Sequence, residues 1–222
     1  MNNNFVVKQI LPNIFHVRFS SKLNQNSTML RFQEHYESPK FKGKYFTLVE
    51  FKKWYVSNTE IGKKYGFNYY TYWLGFNIPS SVLKPFYNEK FKPLSTQELD
   101  FLNKFKDKRK ERFYIISTPT KLNLAIINHE IAHALFYTDS NYRRKTTMLI
   151  NKLDKNTKTK LKDYLLKELG YNKSVLIDEM QAYLLCNKQI MSDIKINKII
   201  LTSINQKLKE IYKKSISDSR ML

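Results

Sequence analysis

The segment "KLNLAIINHEIAHALFY", residues 121–137, limits the possible folds of this chain more than any other stretch. Apolar side chains occupy nearly every position over a length of several helical turns, which describes a helix buried on all sides. Among the residues that break that pattern, three are ionisable and lie within one turn near its middle: His129, Glu130 and His133. An imidazole or a carboxylate buried in an apolar interior is costly unless a partner satisfies it. Residues i and i+4 stand one turn apart on a single helix face, so whatever folds around this helix must bring polar partners to the face that carries both histidines.

The neighbouring sequence supplies candidate elements. Residues 5–19 alternate weakly around "PN", which suits a short strand pair. "SSKLNQNSTML", residues 20–30, is polar and suggests a loop. Thr47 with Glu50, and Ser95 with Glu98, are spaced as capping boxes and open two amphipathic helices. Between them, "GFNYYTYWLGFNIPSSVLKPFY" is aromatic-rich and interrupted by Gly75, Pro79 and Pro85, so no single regular element spans it. "RFYIIS", residues 112–117, has the β-branched and aromatic content of a strand, and the turn "TPT" separates it from the apolar helix. Beyond Asp139 the chain is amphipathic and helical: "NYRRKTTMLINKL", then "TKTKLKDYLLKELG" with Gly170 as C-cap. "SVLIDEMQAYLLCNKQI" is a second strongly apolar helix. A lysine-rich helix from about Ile194 to Ser215 ends the pattern. The expected fold class is α+β in one domain, 1–222, with a small mixed sheet within residues 1–117 and a mainly helical region over residues 118–222.

The spacing of the three polar residues has a chemical meaning. His129 and His133 can turn their imidazoles toward one metal ion, and Glu130, rotated by about 100° around the helix, can reach a water at that ion. A carboxylate so placed can take a proton from the water and return it to a leaving group. At "HEIAH" the sequence resembles the HExxH zinc peptidases of the zincin superfamily. That resemblance implies a zincin-like helical core, a Zn2+ cofactor, a peptide or protein substrate, and a strand such as "RFYIIS" at the sheet edge where an extended substrate pairs. The competing reading is a pair of core histidines bonded to backbone or carboxylates.

A catalytic zinc has three protein ligands and one open position. No histidine follows His133, and "ALFYTDSNY" lacks the glycine of the metzincin pattern, so the resemblance narrows to the gluzincin group, in which a carboxylate on a later helix completes the site. Glu179 in "LIDEMQAYLL" is the candidate. It lies in an apolar helix where an unpaired carboxylate would be expensive, and Ala182, one turn on, is small enough to let two helices approach. Asp178 is the alternative ligand; otherwise it accepts the N–H of a ligand histidine from behind. The thermolysin-like form has Asn before the ligand glutamate and Asp four residues after it. Here Asp178 and Tyr183 stand in those places, closer to the E-x-x-A form of smaller zincins. Tyr183, on the face of Glu179, can donate to the oxyanion of a tetrahedral intermediate or act as a core tyrosine, and Tyr137 and Tyr142 compete for that role. "FQEHYE" offers Glu34, His35 and Glu37 as binders of a substrate terminus or a second metal, or as an exposed polar loop.

The formal charge of +20 raises the possibility of nucleic acid. Of 39 basic residues, however, only Arg18, Arg31, Arg109, Arg112, Arg143, Arg144 and Arg220 are arginine, the residue suited to bidentate phosphate recognition. The lysines are scattered and no nucleic-acid-binding motif accompanies them. Nucleic acid is therefore not the expected main ligand, while an acidic partner fits the charge. No run reaches the roughly 20 apolar residues of a membrane span, the start lacks a leader pattern, and one cysteine, Cys186, cannot form an internal disulfide. These features point to a cytoplasmic location. The expected function is zinc-dependent peptide-bond hydrolysis with Glu130 as base. The alternatives are a non-proteolytic zinc hydrolase and a non-enzymatic basic protein that binds nucleic acid or an acidic partner.

Overall fold

A computed structural model describes residues 4–119, 124–186, 194 and 196–220. The chain forms two compact units, Met1–Leu122 and Asn123–Leu222. A small four-stranded sheet lies in the N-terminal half, and the C-terminal half is mostly helical.

The first unit opens with the expected strand pair, β1 (Phe5–Leu11) and β2 (Ile14–Phe19), which pair antiparallel. Asn13 takes the left-handed conformation at the turn, φ 59°, which asparagine tolerates better than most residues. Helix α1 follows at Lys22–Glu37. This corrects the loop expected at 20–30, and it places Glu34, His35 and Glu37 on a helix rather than in an exposed loop. The polarity of α1 hid it, because its buried face carries Gln25, Asn26, Thr28 and Arg31 among Met29, Leu30 and Phe32. The amide N–H groups of two of these side chains reach distant carbonyls. Gln25 donates to the Ser117 carbonyl at 3.2 Å, and Asn26 donates to the carbonyls of Tyr70 and Trp73 at 2.9 and 3.2 Å.

Helix α2 (Leu48–Asn58) begins at the Thr47–Glu50 capping box, and short helices α3 (Glu60–Tyr65) and α4 (Tyr69–Tyr72) lead into β3 (Phe76–Pro79). After the turn helix α5 (Lys84–Tyr87), α6 (Thr96–Lys104) opens on the Ser95–Glu98 capping box. Strand β4 occupies Tyr114–Pro119. The strand order is β1-β2-β4-β3, with β4 parallel to β2 and antiparallel to β3. The expected substrate-pairing edge is therefore corrected: β4 is an inner strand with neighbours on both sides, and its run of buried residues Tyr114–Thr118 reflects coverage of both faces. The edges are β1 and β3. Of the turn "TPT", Thr120 lies outside the described residues.

An aromatic layer fills the core of this unit, including Phe32, Phe86, Phe91, Phe101, Phe105 and Phe113. Phe86 and Phe91 stack with ring centroids 3.9 Å apart. Within it lies one ion pair. Arg31 Nε donates to Glu98 Oε1 at 2.7 Å, Arg31 also donates to the Phe91 and Pro93 carbonyls, and Glu98 accepts from the Ser95 N–H.

The second unit contains α7 (Leu124–Thr138), α8 (Ser140–Asn151), α9 (Lys155–Asp163), α10 (Leu176–Cys186) and α11 (Lys198–Arg220). The expected start of α7 at 121–123 and the expected tail of α10 at 187–190 lie outside the described residues. A π-helical turn, 164–168, follows α9, and Gly170 closes it at φ 72°, the left-handed position that favours glycine. Helix α10 packs on α7, α8 and α11 around a core that includes Ala132, Leu161, Leu165, Ala182, Leu184 and Leu208.

The Arg31–Glu98 pair generates a prediction. Truncating one partner of a buried pair leaves the other charge without compensation. Arg31→Ala should destabilise the first unit by about 3–5 kcal/mol, measured as an earlier urea midpoint in the near-ultraviolet circular dichroism of its aromatic core.

Candidate metal centre

Helix α7 carries His129, Glu130 and His133, and α10 carries Asp178, Glu179 and Tyr183. The two helices can meet closely because alanines lie where they pack: Ala132 and Ala182 are fully buried. The ligand atoms of His129, His133 and Glu179 all lie within 4.8 Å of one another, and among the described residues this is the one such group of three. His133 and Glu179 are buried, while His129 and Glu130 are half-buried.

The imidazoles face each other through Nε2, 3.1 Å apart, and Glu179 Oε2 is 3.7 Å from His133 Nε2. Each ring is held from behind. His133 Nδ1 donates to Asp178 Oδ1 at 2.8 Å, and His129 bonds to the backbone of Ala182. These bonds assign the protons to the rear of each ring and leave the Nε2 lone pairs for the shared space. Asp178 is held in turn: Gln181 Nε2 donates to its Oδ1 at 3.0 Å, and the fully buried Tyr142 hydroxyl donates to Gln181 Oε1 at 2.7 Å.

Two lone pairs at 3.1 Å repel unless a cation lies between them. The two rings titrate in opposite directions. Burial pulls the His129 imidazole down, and the charge of His133 pulls it further, to about 3. Burial also opposes the charged form of His133, but the Asp178 carboxylate, with Glu179 and Glu130, outweighs it and raises the ring to about 9. The donor set fits a metal ion. Two nitrogens about 2.0–2.1 Å from one tetrahedral ion stand about 3.3 Å apart, close to the observed 3.1 Å. Two imidazoles and a carboxylate also match the chemistry of zinc sites with one open position.

The remaining candidates fall in different places. Glu130 lies near enough for its charge to act on His133, Tyr183 and Cys186. The Tyr183 ring sits edge-on to His129, centroids 4.9 Å apart, and its hydroxyl bonds the Tyr171 hydroxyl at 3.0 Å. Tyr142, considered for the oxyanion role, instead turns its hydroxyl into the Gln181 network. In the first unit, Glu34 accepts from Tyr69, His35 Nδ1 bonds the Lys44 carbonyl, and His16 bonds Thr118. Gln181 and Tyr171 do not stand out as site residues in the sequence. A polar residue inside an apolar helix is a usable signal for Gln181. Tyr171, beyond the glycine turn, carries none.

Comparison of the chain with protein-family models, with curated proteins and with solved structures finds no match.

The opposed titration of the two rings sets a pH dependence for metal uptake. At pH 7 the raised His133 holds a proton that a metal must displace. Zinc binding near neutral pH should release about one proton from this ring, seen by calorimetry in buffers of different ionisation enthalpy. Affinity should rise with pH through neutrality and level off above about 9, where His133 is already neutral.

Proposed function

We propose that the second unit is a zinc-dependent peptidase of the gluzincin kind, with His129, His133 and Glu179 as metal ligands and Glu130 as general base. The observation that carries this reading is the convergence of three donors of the right chemistry within 4.8 Å, two from α7 and one from α10, with a carboxylate beside the first histidine. A zinc ion in this position would act as a Lewis acid, acidifying a water and polarising a carbonyl.

The chain's own residues account for the other steps. Glu130 takes the proton from the attacking water as the water oxygen bonds to the peptide carbonyl carbon. When the carbon–nitrogen bond breaks, Glu130 gives that proton to the departing amine. The carbonyl oxygen gains negative charge in between, and a hydroxyl that donates to it lowers the barrier. We assign this role to Tyr183, whose ring lies against His129 and whose hydroxyl bonds that of Tyr171. The pairing makes the acceptor side explicit: when Tyr183 donates to the oxyanion, the Tyr171 hydroxyl can donate to Tyr183. Asp178 holds His133 in the tautomer that exposes Nε2, and the buried Gln181 and Tyr142 hold Asp178.

Base and ligand roles separate by mutation. Glu130→Gln should retain one zinc per chain by elemental analysis yet lose hydrolysis of an unstructured protein substrate, because an amide cannot accept the water proton. Chelator should abolish the parent activity. Normal turnover by this variant, or chelator-resistant cleavage, would remove the proposal.

The neighbouring carboxylates make the second comparison. Glu179→Ala should abolish tight zinc binding in titration against a competing chelator, and should lower the thermal stability gained on adding zinc. Asp178→Asn should weaken affinity by about 10–100-fold, the usual cost of losing the partner behind a ligand histidine. The reverse order of effects would make Asp178 the ligand.

A further inference from the structure

Away from the metal centre, the first unit exposes a short apolar ridge. Tyr72, Trp73 and Leu74 join α4 to β3, and all three stand exposed, at 53%, 42% and 61%. Among the described residues no other three consecutive large apolar side chains are exposed. Ordinary surfaces scatter such residues singly, so a contiguous ridge requires a reason.

The ridge is built rather than loose. Buried Asn26 on α1 donates to the Tyr70 and Trp73 carbonyls at 2.9 and 3.2 Å, and Lys22 Nζ donates to the Thr71 carbonyl at 2.9 Å. The Trp73 ring leans on Tyr69 and Phe76 from the core, with centroids 6.0 and 6.3 Å away. The backbone is thus fixed from below while the side chains of Tyr72 and Leu74 point outward.

Lysines lie beside the ridge, and two carboxylates beneath it are engaged within the unit: Glu34 accepts from the Tyr69 hydroxyl and Glu98 pairs with Arg31. No acidic residue occurs between Glu60 and Glu89, a stretch that contains Lys63, Lys64 and Lys84. Lys22 stands at the foot of the ridge. Lys52 Nζ lies 5.0 Å from the Phe67 ring and 5.7 Å from the Tyr70 ring, and Lys64 Nζ lies 5.0 Å from the Tyr65 ring. Aromatic rings with an aliphatic tip, with Lys22 and Lys52 at their base, suit the interface of a bilayer: Trp and Tyr settle at headgroup depth, Leu enters the acyl boundary, and lysines meet anionic headgroups. Single-stranded nucleic acid fits less well. It requires free ring faces for stacking, whereas Trp73 is leaned on by two core rings and met edge-on by Tyr72 at 5.4 Å. Leu74 has no ring face to offer, and the cations named here are all lysine.

We propose that the ridge Tyr72–Trp73–Leu74 and the lysines at its base form a docking surface for an anionic lipid bilayer, bound peripherally. No described helix is long and apolar enough to cross a membrane, so attachment would rest on shallow insertion plus charge. The inference does not depend on the reading of the metal centre.

The test is sedimentation of the full chain with vesicles of phosphatidylcholine alone or with added phosphatidylserine. The protein should pellet with the phosphatidylserine vesicles and be released by high salt, since surface attraction is screened. Leu74→Ser should weaken binding about tenfold, and Lys22→Glu with Lys52→Glu at least as much, each lysine near the surface being worth about fivefold. Acyl chains labelled with bromine should quench the tryptophan fluorescence of the parent but not of Trp73→Phe, a readout that needs no destabilising change. Equal binding to both vesicle types, parent-like binding by Leu74→Ser or an unquenched parent would overturn the proposal. So would tight binding of a single-stranded oligonucleotide that Trp73→Ser abolishes and Leu74→Ser leaves unchanged.

Discussion

The hydrogen bond from His133 Nδ1 to Asp178 Oδ1 does more than join two residues. It fastens α7 to α10 at the level of the donor cluster and fixes the histidine tautomer, so that the second ring nitrogen faces His129 and Glu179. Its acceptor is embedded in a chain of polar contacts through Gln181 to the buried hydroxyl of Tyr142 on α8. Three helices are thereby registered against one another by polar groups inside an otherwise apolar core. Such a network specifies a geometry only when each member is satisfied.

The first unit solves a similar problem with different residues. Its aromatic layer has few regular elements over residues 66–93, and irregular backbone leaves carbonyls that need donors. Side chains of α1 reach them: Arg31 caps the Phe91 and Pro93 carbonyls, and Asn26 caps those of Tyr70 and Trp73. Glu98 neutralises Arg31 and at the same time caps its own helix. A helix that looks polar is therefore the post on which this unit's loops are hung.

The two histidines bring opposed electrostatic demands to one buried cluster. The carboxylates behind and beside the rings favour a charge on His133, against the cost of its burial. Placing Tyr183 on the same helix as Glu179 couples the position of the hydroxyl to that of the carboxylate.

Short-range features were legible from the residues alone. The i, i+4 histidines share a face because helix geometry dictates it, and Glu130 follows by one step of the same rotation. The two capping boxes, the Pro12–Asn13 hairpin and the Gly170 stop likewise depend on neighbours within a few positions, and each appears where its residues stand. The helix α1, the inner position of β4, the Tyr171–Tyr183 pair and the Gln181 link were not legible. Each is set by contacts with residues that packing brings near: Gln25 with Ser117 across the unit, β4 between β2 and β3, Tyr142 with Gln181 across two helices. Local sequence determines where a helix can begin and which side chains it aligns. Which polar group becomes buried, and what then satisfies it, depends on the partner that tertiary packing supplies, because burial turns an ordinary polar side chain into one that must be bonded.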